Sequence, residues 1–254
     1  MLQTDVLIIG TGIAGATAAL RLARNPERRV TLITRDPDPH ESNTYWAQGG
    51  IIYRGPNDNA DLLVKDILAA GAGASLPSAA RILAEEGPKL LQEILIETAH
   101  VQFDKDDSGA LAYGQEAAHS VRRIIHVADG TGAAISIGLM TALKQMPNIT
   151  WFTNATAVDL ITYPHHARDP LSAYQPIKCF GAYVFDYNGR SVHRTLAATT
   201  IPNQCQPGGF SFPKIKPAPI APRLVRCSSS WTTEGRLPDS RPENRPTPPP
   251  PSSL

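Results

Sequence analysis

The sequence lacks the cysteine pattern of a disulfide-stapled or zinc-holding protein. Cys179, Cys205 and Cys227 are odd in number, widely spaced and form no CxxC pair, which excludes the usual zinc and dithiol arrangements and suits a reducing cytosol. A charge excess of either sign is also missing. With 24 Lys and Arg against 23 Asp and Glu the net charge is +1, too little for an electrostatic footprint on nucleic acid. The one segment that imitates a membrane span or signal, Val6 to Leu20, follows Asp5 rather than a basic region and contains Gly10, Gly12 and Gly15. Its 15 residues fall short of the roughly 20 that cross a bilayer. These absences leave a cytoplasmic protein with no membrane, nucleic-acid or metal partner as the expectation.

What is present suits a soluble globular chain: 42% hydrophobic and 19% charged residues over 254 positions, enough for one sizeable domain and an appendage. The composition changes at Pro202, since 13 of the 23 prolines lie between Pro202 and Pro251. Proline lacks an N–H and fixes φ, so this stretch cannot sustain helices or central strands. Residues 202–254 are expected to be a disordered Pro-rich tail of charge +4, following residues 1–201 of charge −3. PxxP-like pieces within the tail would also suit an aromatic-lined groove.

Residues 1–201 alternate between strand and helix patterns, which predicts an α/β fold with a parallel sheet. Asp5 to Ile9 is a short apolar run suited to a buried strand, Ala14 to Arg24 is rich in alanine and leucine, and Val30 to Ile33 returns as a strand. Helical spacing covers Asp61 to Ala70 and Ala79 to Ala99, where Pro88 predicts a break or kink. Thr131 and Gly132 open a further helix through Gln145. Ile177 to Tyr187 and Arg190 to Leu196 flank Asn188 and Gly189, which predicts a hairpin closed by a two-residue turn with positive φ.

Gly10, Thr11, Gly12, Ile13, Ala14 and Gly15 form a GxGxxG loop between the first strand and first helix. The three glycines serve different ends. Gly10 makes the tight turn, Gly12 admits a pyrophosphate to the backbone, and Gly15 lets helix and strand pack closely. The helix N-terminus adds N–H donors and a partial positive charge. A carboxylate for the adenosine ribose is expected at the end of the second strand, but the chain there reads Ile33, Thr34, Arg35, with Asp36 one or two positions late. Ribose recognition then falls to Thr34, Arg35 or backbone groups. The motif alone does not choose between FAD and NAD, and Arg35 could serve the phosphate of NADP.

Ser42, Asn43, Thr44, Tyr45, Trp46, Ala47, Gln48, Gly49 and Gly50 make that choice. The run resembles the flavin-contacting segment of the succinate dehydrogenase, fumarate reductase and L-aspartate oxidase superfamily. Gly49 and Gly50 would let backbone N–H groups approach a flat ring, while Thr44 and Gln48 would bond its heteroatoms or a nearby phosphate. Members with covalent flavin carry a histidine where this chain has Asn43, so the resemblance implies noncovalent FAD and points to the L-aspartate oxidases. In that family the position of Arg35 is commonly basic, and backbone groups at Thr156 and Ala157 would hold adenine.

Glu116, Ala117, Ala118, His119 and Ser120, followed by Arg122, Arg123, His126 and Asp129 to Gly132, resemble a second block of the same family. There the glutamate orients the substrate α-amino group, so Glu116 is the candidate specificity residue. His119, Arg122, Arg123 and His126 could form a cationic wall for a dicarboxylate or a flavin phosphate, or else a solvated helix face or a structural ion pair. The resemblance implies oxidation of L-aspartate to iminoaspartate, the first step of bacterial NAD biosynthesis, with oxygen or fumarate as electron acceptor. It stops at Ile201, where the family continues into an Ala-Thr-Gly-Gly turn and then a capping domain with the catalytic arginine. An incomplete FAD domain is therefore expected, and the alternatives are a fragment without catalysis or a noncovalent fumarate reductase.

Overall fold

A computed structural model describes residues 2–163 and 166–202; the expectation for the proline-rich stretch beyond Pro202 lies outside the described residues. The chain opens with β1 (Leu2–Ile9), α1 (Ile13–Ala23) and β2 (Val30–Ile33). Val6, Leu7, Ile8, Val30, Leu32 and Ile33 are all buried, because helices and further strands cover both faces of parallel strands and apolar runs then need no alternation. β1 begins three residues before the predicted start. Its pairing with a distant strand, Leu2 with Thr195 and Gln3 with Leu196, draws in these leading residues.

The remaining elements are β3 (Ile51–Ile52), α2 (Ala60–Ala70), α3 (Pro77–Leu91), a π-helical extension (Gln92–Thr98), β4 (Ile124–Ile125), α4 (Thr131–Lys144), β5 (Ile149–Phe152), β6 (Ala155–Tyr163), β7 (Lys178–Asp186) and β8 (Ser191–Pro202). A six-stranded sheet runs β5-β2-β1-β8-β7-β6. Its β5, β2, β1 and β8 are parallel neighbours, and β8, β7 and β6 form an antiparallel meander. The expected Rossmann-like sheet with a hairpin excursion is thus observed. α1 and α4 contribute Ala16, Ala19, Leu20, Ile135, Leu139, Met140 and Leu143 to the main core. A second cluster joins Leu7 and Ile33 to Ala182, Val184 and Ala197 of the meander. Each large apolar side chain so buried contributes about 1.5–3 kcal/mol relative to exposure.

Two local expectations are corrected. Of the break or kink expected at Pro88 the break is not observed: the helix runs from Pro77 to Leu91 and passes into the π-helical turn at Gln92. Proline cannot supply the i to i−4 hydrogen bond that the Ala84 carbonyl would accept, and the Arg54 guanidinium supplies it instead, Nη2 to O at 2.6 Å. A side chain 30 positions away thereby replaces the hydrogen bond that proline cannot make. The hairpin between β7 and β8 also differs from a two-residue Asn-Gly turn. Asp186 pairs with Ser191, leaving a four-residue loop in which the positive φ falls on Arg190, at 47°. The Asp186 carboxylate accepts the Asn188 N–H at 2.9 Å, a local Asx turn that competes with the tighter closure.

Candidate functional site

Gly10 has φ 102°, a left-handed value that favours glycine, and its N–H donates to the Ile33 carbonyl at 2.8 Å. The loop is thereby tied to the end of β2. A Cβ on Gly15 would stand 2.1 Å from the Gly10 carbonyl oxygen, so the first turn of α1 crosses the loop at a distance only glycine allows. Gly12 is the N-cap and brings no side chain to the helix end. Thr11 is buried, and its hydroxyl lies 3.3 Å from that of Thr34. Across this loop Gly10, Gly12 and Ile13 are half-buried and Ala14 is exposed, while Thr11 and Gly15 are buried.

Residues 42–50 form a turn wedged between two helix N-termini. The Ile13 N–H at the start of α1 donates to the Thr44 hydroxyl at 3.0 Å. The Gly132 N–H at the start of α4 donates to the Ala47 carbonyl at 2.9 Å. A Cβ on Gly132 would stand 2.0 Å from the Thr44 carbonyl oxygen, so α4 approaches this turn as closely as α1 approaches the glycine loop. Thr44 accepts the Ile13 N–H and keeps its own hydroxyl proton for donation. Within the turn, Tyr45 donates to the Ser42 carbonyl, and Trp46 stacks edge-on against Tyr45 while its Nε1 donates to Glu41 at 2.7 Å. Trp46, Ala47, Gln48 and Gly49 are exposed, as is Asn43. Gly50 turns inward, where a Cβ would strike Ile124 at 2.2 Å, and it leads into β3, which pairs with β4.

That pairing brings the second block alongside the first. Gly114 donates to the Ile124 carbonyl at 2.7 Å, and Tyr53 donates to the Arg123 carbonyl at 2.8 Å. Glu116 Oε1 comes within 3.6 Å of the position a Cβ on Gly49 would take. A carboxylate and the exposed Gln48-Gly49 edge, far apart in sequence, therefore share one surface.

Residues 5–232 match the FAD binding domain family. The chain belongs to that family. It is 39% identical over 161 residues to the L-aspartate oxidase of Clostridium acetobutylicum, covering 63% of this chain and 36% of that protein. It is 34% identical over 198 residues to the chloroplastic L-aspartate oxidase of Arabidopsis thaliana, covering 78% of this chain and 28% of that one. The chain thus spans about a third of the length of these relatives. Among solved structures it superposes on a chain of the E. coli quinol fumarate reductase with a TM-score of 0.70 at 20% identity, over 80% of this chain and 33% of that one. The likeness is one of fold.

The residues present in this FAD binding domain fit a dinucleotide. The glycine loop and the α1 N-terminus offer backbone N–H groups and positive potential for a pyrophosphate. The Thr34 carbonyl accepts the Ala155 N–H and the Asp36 carbonyl accepts the Asn154 N–H, which sets the start of β6, with Thr156 and Ala157, beside the end of β2. The Thr156 hydroxyl oxygen is buried and has no hydrogen-bond partner among the described residues, the condition of a group that a ligand would complete. Arg35 is exposed beside this end. Among the described residues no cluster of His, Cys, Asp or Glu could hold a metal, and no helix is long and apolar enough to cross a membrane.

The suggested cationic wall is resolved differently. Arg123 is fully buried and pairs with Asp58 at 2.9 Å and Asp66 at 2.6 Å, so of the readings offered for it the structural ion pair is the one observed. Arg122 is exposed, and His126 lies 3.6 Å from Asp104. Asp66 Oδ2 also accepts the Ser120 N–H and hydroxyl, each at 2.9 Å. Burial acts to raise the Asp66 pKa, but the Ser120 donors and Arg123 outweigh it and hold the carboxyl below its ordinary value. Sequence reasoning missed Asp58 and Asp66. One lies in a loop and the other on a helix, and neither belongs to a motif.

Proposed function

We propose that this chain forms the FAD-binding part of an L-aspartate oxidase-type flavoprotein that holds FAD without a covalent bond and oxidises L-aspartate to iminoaspartate. The cofactor supplies acceptance of the hydride leaving the substrate Cα, with oxygen or fumarate as the terminal electron acceptor. The chain's own residues bind and orient. Gly10, Thr11, Gly12, Ile13, Ala14 and Gly15 would receive the pyrophosphate, Arg35, Thr156 and Ala157 the adenosine, and Asn43 to Gly50 the ring. Asn43 stands where the covalent members carry histidine, and an amide cannot form that bond.

The observation that carries the reading is Glu116 Oε1, 3.6 Å from the Cβ position of Gly49. A carboxylate beside the ring-contacting segment is suited to an ammonium group, which aspartate has and succinate or fumarate lacks. A carboxylate-to-ammonium contact of this kind contributes about 1.5–3 kcal/mol when hydrogen-bonded, enough for at least about tenfold preference.

The test is the visible spectrum of the chain with FAD, followed by anaerobic addition of L-aspartate or succinate. A bound flavin band that bleaches with aspartate and not with succinate is expected. Bleaching with succinate alone would favour the fumarate reductase reading instead, and flavin that binds but never bleaches would restrict the chain to a binding role.

A further inference from the structure

We propose that Arg123 is a positioning residue for the Glu116 loop and acts through His119, which it fixes as the tautomer protonated at Nε2. The proposal rests on the reading that Glu116 meets the substrate.

The loop carrying Glu116 has little core of its own. Gln115, Glu116, Ala117 and Ala118 are exposed, and His119 is half-buried. Its course therefore depends on polar tethers, and these converge on one point. Gly114 is fixed to Ile124 by reciprocal backbone bonds, the Gln115 amide donates to the His119 carbonyl at 2.7 Å, and His119 N–H donates to the Glu116 carbonyl at 3.0 Å. Ser120 is held twice by Asp66. The ring of His119 is held by Arg123, Nη1 to Nδ1 at 3.1 Å. A guanidinium only donates, so Nδ1 must present a lone pair. The single proton of the neutral ring then sits on Nε2.

The buried ions are not arranged for stability alone. Asp58 Oδ2 and Arg123 Nε have no hydrogen-bond partner among the described residues, and an incompletely satisfied buried network tends to be no more stable than an apolar replacement. What the network does accomplish is geometric. It links α2, through Asp66, and the loop before it, through Asp58, to Ser120 and Arg123 on the C-terminal side of the turn that places Glu116 beside Gly49. Glu116 thereby offers an acceptor and His119 an Nε2–H donor from the same short turn.

The experiment uses the full chain and two readouts. Ring 1H–15N spectra, assigned with His119→Ala, report the tautomer without any cofactor. Titration of the FAD-loaded chain with L-aspartate or succinate, followed by the change in the flavin spectrum, reports ligand binding. The wild type is expected to show His119 protonated at Nε2 alone. His119→Ala and Ser120→Ala are expected to weaken the aspartate response about tenfold, the scale of one lost charge-assisted hydrogen bond, with the succinate response and FAD affinity changed less than about twofold. His119→Asn, whose side-chain oxygen can accept from Arg123, should restore most of the loss. A proton on Nδ1, or equal weakening for both ligands, would overturn the proposal. A wild-type chain whose flavin spectrum ignores aspartate would overturn the role of Glu116 as substrate contact, and the ring spectra with amide exchange across Gly114 to Ser120 in His119→Ala would still decide whether Arg123 positions the loop.

Discussion

The glycine loop and the Glu116 block lie in the same small domain but are held by different forces. Around Gly15, Gly50 and Gly132 the backbone packs so closely that a single methyl group would collide with a carbonyl or a neighbouring side chain. Around Glu116 the contacts are ionic side chains reaching across 57 and 65 positions, from Asp66 and Asp58 to Arg123. In the proposed reading the first surface needs a rigid shape that admits phosphates and a flat ring. The second needs one carboxylate aimed at one spot, and a buried cation can hold that from a distance.

The largest expected effect tests the ionic half. Arg123→Met leaves two carboxylates without their shared cation, and loss of one partner from a buried pair costs about 3–5 kcal/mol, to be read from denaturant melts. Next comes the backbone half. Gly15→Ala pushes α1 off the glycine loop, an overpacking cost of about 1–3 kcal/mol. Its FAD affinity, measured by flavin fluorescence, should fall about 100-fold, whereas in Arg123→Met that folds at low temperature the affinity should fall far less. If both variants lose FAD equally, the two regions are not separable.

A smaller effect is expected where the halves meet. Thr44→Val removes the acceptor of the Ile13 N–H, and loss of such a helix-end bond costs about 1 kcal/mol, measurable as a shift in Cm. The smallest is the response to pH. Asp66 has a folded pKa below its ordinary value of 3.8, so its contribution to stability is full above that value and is lost as pH falls through the lowered one. Acid titration of stability should show this loss, and Asp66→Asn should lower stability near neutrality while flattening that part of the profile.

Much of the cofactor surface is legible in the sequence because its information is local. The apolar run before Gly10, the spacing of Gly10, Gly12 and Gly15, and the alanine-rich helix after them all lie between Leu2 and Ala23. The order of β1, α1 and β2 follows directly. The Glu116 side is legible only in part. Glu116 and His119 can be named from their block, but Asp58 and Asp66 carry no pattern that distinguishes them from solvated carboxylates. Pro88 misleads for the same reason, since Arg54 answers the orphaned Ala84 carbonyl from outside the helix. The hairpin strands follow from their pattern but the closure does not, because the Asp186 side chain competes with the Asn-Gly preference.

The sequence by itself determined the α/β class and the glycine loop, because hydrophobic period, helix propensity and glycine spacing act over short stretches of chain. Only the tertiary structure decided that Thr44 and Ala47 receive the first N–H groups of two helices, that Arg123 is buried while Arg122 is exposed, and that Glu116 comes to rest beside Gly49. Those outcomes depend on which distant groups meet when the sheet closes, and the energy of a buried ion or a close backbone contact exists only once they have met.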